Sequence, residues 1–148
     1  SKNMILAQIN GTCSPNEIPV KIGSMYAAIN DKIASEQIKV IGMPLASYPE
    51  FDPSAKLIRI IAMLPVDKKC NSSKESEVYC FEIEGQKLIK AVFQGPYDNS
   101  EMAYDAIEAY IKEKGYETNG QPYEEYANDP MEVKDPNLYL TNVYWPYK

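Results

Sequence analysis

The chain has 148 residues, 15 Lys and Arg against 21 Asp and Glu for a net charge of −6, and no histidine. At 45% hydrophobic and 24% charged it has a globular composition, long enough for one domain with a core. The missing imidazole excludes His-based triads, His-containing zinc sites and the usual proton shuttle near neutral pH. Net acidity, with Arg59 as the one guanidinium, argues against direct nucleic-acid binding.

In chain order, strands are expected over 4–10, 40–48, 57–64, 78–84, 88–94, 121–127 and 139–145, with Gly85-Gln86 as a hairpin turn between two of them. A first helix is expected from Pro19 to Ser35, because Ile22, Tyr26, Ile29 and Ile33 recur on one face at helical spacing. A second is expected from Ser100 to Lys114. Asp98-x-x-Glu101 opens it as a capping-box-like start, Gly115 closes it, and Ala103, Ala106, Ile107, Tyr110 and Ile111 form its inner face. Tyr26 and either Tyr104 or Tyr110 read as core residues with hydroxyls at the rim. Nowhere do 18 consecutive apolar residues occur, so no membrane span is expected.

The same sequence grammar occurs twice. Gly-x-Pro-x-x-x-Tyr stands at Gly42–Tyr48 and again at Gly120–Tyr126, 78 positions later. Each copy follows a helical stretch and precedes an Asp-Pro loop (Asp52-Pro53, then Asp129-Pro130 and Asp135-Pro136) and an apolar strand ending in proline. The pattern reads as an internal duplication within a single domain of residues 1–148, with pseudo-repeats of about 4–66 and 77–148. The expected fold is α+β: duplicated strand–helix–strand–strand units, an antiparallel sheet, two helices on one face, and a groove between the halves as the place for a ligand.

Charge and aromatic content are unevenly divided. Residues 1–75 carry a net +2 and residues 76–148 a net −8, and ten of the twelve tyrosines lie in the second half. That pairing suits an aromatic, acidic pocket for a cation or an amphipathic organic molecule, and equally a tyrosine-rich core beneath a solvated acidic face. Alternation puts Glu124 with Tyr126 on one strand face and Tyr123 with Glu125 on the other. In the last strand it puts Asn142 with Tyr144, opposite Val143, Trp145 and Tyr147. Trp145 is expected to pack. Glu124 reads either as a pocket carboxylate, costly to ionise without compensation, or as a solvent-facing residue of an acidic stretch.

Gly120–Pro130, then Leu140-Thr141-Asn142-Val143-Tyr144-Trp145-Pro146, resembles the GyrI-like effector-binding domains. So do Gln94-Gly95-Pro96-Tyr97 and the helix ending Lys114-Gly115-Tyr116, and the likeness covers the whole chain. The resemblance implies binding of amphipathic, often cationic, small molecules. Its relatives include domains of multidrug-sensing and AraC-type transcription regulators, free-standing gyrase inhibitors, and hydrolases of cyclopropane-containing genotoxins. It also implies that Glu124 is the central glutamate and Tyr144 part of the aromatic lining. Asn142 departs from the acidic residue common there, which weakens the case for a strongly cationic ligand.

The expected function is therefore a stand-alone small-molecule-binding protein, with Glu124, Tyr126, Tyr144, Asn142 and Tyr48 as ligand-binding residues. No cofactor, metal or catalytic residue is expected, and the protein partner, if any, is unknown. One alternative is a cyclopropane hydrolase using Glu124 as general acid or base; another is an acidic, gyrase-inhibitor-like protein-interaction module. Cys13, Cys70 and Cys80 match no metal spacing. Cys70 and Cys80 bracket a polar loop and would pair in an exported protein, but inert thiols are the expectation. A cytoplasmic location is expected. The chain begins Ser1-Lys2-Asn3, which leaves a leader or upstream segment open.

Overall fold

A computed structural model describes residues 3–72, 76–96, 101–128 and 132–148, in two units of residues 2–85 and 86–148. In residues 2–85, β1 (Met4–Cys13) is followed by α1 (Ile18–Ser35), then β2 (Leu45–Ser47), β3 (Phe51–Asp52), β4 (Leu57–Val66) and β5 (Tyr79–Ile83). All pairings are antiparallel: β1 lies between β5 and β4, β2 pairs the other side of β4, and β3 pairs one end of β4. Alternate residues of β4, namely Ile60, Ala62, Leu64 and Val66, meet Met25, Ile29 and Ile33 of α1 in one apolar cluster. Ile29 is fully buried there, and truncating it to alanine should cost about 2–5 kcal/mol.

Residues 86–148 contain β6 (Lys87–Gln94), α2 (Glu101–Lys114), β7 (Tyr123–Tyr126) and β8 (Leu140–Tyr147). Here β8 lies between β6 and β7, as β4 lies between β1 and β2. Ala103 and Ile107 of α2 pack on Val143 of β8, with Ile89, Ala91, Phe93 and Trp145 around them. The class is α+β with antiparallel strands and two helices, as the sequence predicts.

Several local expectations change. Gly85-Gln86 is not a hairpin turn, because β5 pairs β1 while β6 pairs β8. The strand expected over 40–48 shortens to Leu45–Ser47, with a single bridge from Val40 to Val66. Pro44 has no N–H to offer a ladder, so pairing begins beyond it. Ala106 and Tyr110 face solvent, and of the two tyrosines expected as alternatives it is Tyr104 that packs inward. Cys70 and Cys80 are not separate thiols: they form a disulfide with Cα atoms 5.6 Å apart, leaving Cys13 as the buried free cysteine. The cap at Asp98 and the Asp129-Pro130 loop lie outside the described residues.

The glycines of the duplicated motif serve different physical needs. Gly120 has φ +111°, where a side chain is strained whatever the space around it. Gly42 instead runs so close to Pro65 that a Cβ would sit 3.0 Å from its ring.

Candidate functional site

The strand β7, Tyr-Glu-Glu-Tyr, sits on β8 in a register that decides which side chains share a face. Glu124 lies opposite Val143 and Tyr126 opposite Thr141, so both point to the face carrying α2. Tyr123 lies opposite Tyr144 and Glu125 opposite Asn142, on the other face.

On the α2 face, Glu124 is only 5% exposed, and the Tyr104 hydroxyl donates to its Oε2 at 2.8 Å. Burial pushes its carboxyl up to about 7, and the Tyr104 hydrogen bond offsets this in part. Among the described residues no cationic side chain helps to hold the charge. The hydroxyl of Thr141 and the indole N–H of Trp145, on the same strand face, are buried without hydrogen-bond partners among the described residues. This face can therefore take up a proton, a positive charge or a hydrogen-bond acceptor near neutral pH.

The other face carries a second constellation. Asn142 Nδ2 donates to Glu125 Oε1 at 2.7 Å, and the Tyr144 hydroxyl donates to the same oxygen at 3.1 Å. Tyr123 and Tyr144 stack with centroids 5.3 Å apart, and Lys90 Nζ lies 5.8 Å from the Tyr144 centroid. Partial burial, then the neighbouring Glu125, pushes the Tyr144 phenol up to about 12, so it remains a neutral donor.

The structure thus brings Glu124 and Tyr126 together and sends Asn142 and Tyr144 to the opposite face, where Glu125 holds them. Tyr48, in residues 2–85, is half-buried and packs against that unit's own core. Two functional-type residues escaped the sequence reading: Tyr104, the partner of Glu124, and Glu125, the anchor of Asn142 and Tyr144. Tyr104 was findable, since Tyr104, Ile107 and Ile111 follow helical spacing as well as the chosen stripe does.

Comparison with solved structures gives the same fold throughout. The EcmrR–DNA complex superposes with a TM-score of 0.82 at 14% identity, covering 100% of this chain and 55% of that one. The chain thus spans about half the length of that protein; against the EcmrR C-terminal domain the values are 0.75, 15%, 100% and 93%. A hydrolase from Listeria innocua gives 0.67 at 12% identity, covering 99% and 88%. SAV2435 bound to tetraphenylphosphonium gives 0.57 at 14%, covering 100% and 90%. A search of curated proteins finds no match. The family described as the GyrI-like small molecule binding domain matches residues 2–148, and the chain belongs to it.

Proposed function

We propose that the protein binds amphipathic organic molecules, preferring lipophilic cations, with Glu124 as the charge-recognising group and Tyr104 and Tyr126 beside it. The observation that carries this reading is a carboxyl 5% exposed, hydrogen-bonded to one tyrosine and lacking a cationic side chain among the described residues. A lipophilic cation supplies the missing charge without water. The tetraphenylphosphonium held by SAV2435, at low identity, supports the ligand class. Tyr144, Asn142 and Tyr48 take secondary places, because the first two answer to Glu125 and the third lies in the other unit's core.

Thermal shift with tetraphenylphosphonium and with uncharged triphenylphosphine oxide tests this on wild type and Glu124→Gln. Ligand at about 100 times its Kd should add about 2.7 kcal/mol, a Tm rise of about 5–10 °C. Glu124→Gln should weaken the cation about ten-fold or more and leave the oxide unchanged. Equal binding of the cation by both proteins would falsify the assignment.

One observation favours a second reading, hydrolysis of a strained cyclopropane-type electrophile. A carboxyl with a pKa of about 7 beside a phenol can exchange a proton with a substrate at neutral pH. Turnover of such an alkylator, slowed by Glu124→Ala, would support it; undiminished turnover in that variant would exclude the role. As for location, no helix among the described residues is long and apolar enough to cross a membrane. The Cys70–Cys80 disulfide supports an oxidising setting over the expected cytoplasmic one.

A further inference from the structure

Helix α2 packs mainly on β6 and to a lesser extent on β8, and its two flanks face different directions. Tyr104 and Ile111 lie along one flank, toward Glu124 of β7. Ala106 and Tyr110 fall about 100–160° away around the helix, toward β6. On that side an open pocket of about 410 Å³ lies between the helix and β6, within the range that small organic ligands occupy. Two small side chains, Ala106 on α2 and Ala91 on β6, are among its lining. Ile107, 2% exposed against Val143, fills the space beneath the helix and closes the inner end. From β6 to β7 is two strand spacings, roughly 10 Å, so this pocket is separate from Glu124.

Its outer wall is aromatic and held in place. Tyr116 stacks on Tyr147 at 4.7 Å and 29°, and meets Tyr110 at 6.0 Å and 49°. The Tyr116 N–H donates to the Ile111 carbonyl at 3.1 Å, and the Asn119 N–H to the Pro146 carbonyl at 2.8 Å. The Lys148 N–H donates to the Glu117 carbonyl at 2.9 Å. Neighbouring Tyr116 raises the Tyr110 phenol, which therefore stays a neutral hydrogen-bonding group. Lys114 Nζ lies 5.9 Å from the Tyr110 centroid, and Lys112 shares the last turn of α2. Of the carboxylates nearby, Glu117 is paired with Lys148 at 2.8 Å, and Glu113 adjoins Tyr110.

We infer that this flank is a second ligand site, for a planar aromatic molecule carrying one anionic group. The ring system lies over Ala91 and Ala106 against the tyrosine wall, and the anion lies at Lys114. It takes the opposite charge from the site proposed at Glu124, so the two are independently testable.

The probe is 8-anilino-1-naphthalenesulfonate, followed by fluorescence on the natively folded protein, with uncharged N-phenyl-1-naphthylamine as the matched control. Expected are saturable binding of the sulfonate, about ten-fold preferred over the amine, and no displacement by saturating tetraphenylphosphonium. Ala106→Phe, at an exposed helix position, should fill the pocket and weaken the sulfonate about ten-fold or more, as should Tyr116→Ala and Lys114→Ala. Glu124→Gln should leave it unchanged. Equal binding of sulfonate and amine, displacement by the phosphonium, or unchanged affinity in Ala106→Phe and Tyr116→Ala overturns the proposal. Failure of the phosphonium alone to bind overturns only the reading at Glu124.

Discussion

At the scale of one residue, Glu124 links stability and binding to pH. Its carboxyl titrates at about 7 in the folded chain, against an ordinary value near 4.5. The folded state therefore keeps a proton that the unfolded chain releases. Its stabilising contribution is complete below about pH 4.5 and is lost as pH rises to about 7, a fall of about 3 kcal/mol. Urea denaturation of wild type and Glu124→Gln at pH 5 and pH 8 checks this. The variant should gain on wild type by up to about that amount at the higher pH, and no gain would mean that the carboxyl is solvated. Binding runs the other way. A cation needs the ionised form, so its affinity should fall about ten-fold per pH unit below 7. Tyr104→Phe removes the donor to Oε2 and should cost about 1–3 kcal/mol at pH 8, with less effect at pH 5. Alternation within β7 made the direction of Glu124 legible. Helical spacing allows Tyr104 an inward place, but its pairing with Glu124 was not legible, because which strand residue a helix side chain meets is set by packing that no local pattern encodes.

At the scale of elements, both helices were legible within a residue or so of their ends, since apolar spacing and the Pro and Gly signals agree. Strand existence was legible too, but strand partners were not. A period of two says which residues share a face of one strand; it says nothing of the offset between strands. The offset pairs Glu124 with Val143 and Tyr123 with Tyr144, which separates the expected glutamate from the expected Tyr144 wall. The disulfide is a related case of partners set by tertiary structure. Cys70, 8% exposed, lies in the core cluster with Ile33, Val66 and Val78, and Cys80 sits on β5 opposite Ala7. Closing so short a loop should contribute about 2–4 kcal/mol by restricting the unfolded chain. Protein purified without reductant should show one thiol after denaturation, that of Cys13, and three after reduction. Three thiols without reductant would remove the case for an oxidising compartment, and a Tm unmoved by reduction would show that the bond carries no stability.

At the scale of the whole molecule, each unit places a helix after its first strand, and the first unit adds β3 and β5, which have no counterpart in the second. The second unit begins at residue 86, and β5 belongs with the first because it pairs β1, a long-range choice the local sequence does not express. Charge is the other property that belongs to no single residue. Residues 86–148 carry 6 Lys against 11 Asp and Glu, a net −5, and the whole chain is at −6. Such a field concentrates cations near the surface and speeds their arrival, while contact with Glu124 governs how long they stay. Raising salt from about 0.01 to about 0.1 M shortens the screening length from about 30 to about 10 Å. The association rate of tetraphenylphosphonium, read by stopped-flow fluorescence of Trp145 and the tyrosines, should then fall several-fold, and that of triphenylphosphine oxide should not move. Glu124→Gln removes one of many charges, so its association rate should keep nearly the same salt dependence while dissociation quickens. If salt dependence vanishes with Glu124 alone, attraction is local to the buried carboxyl and the acidic surface has no part in capture.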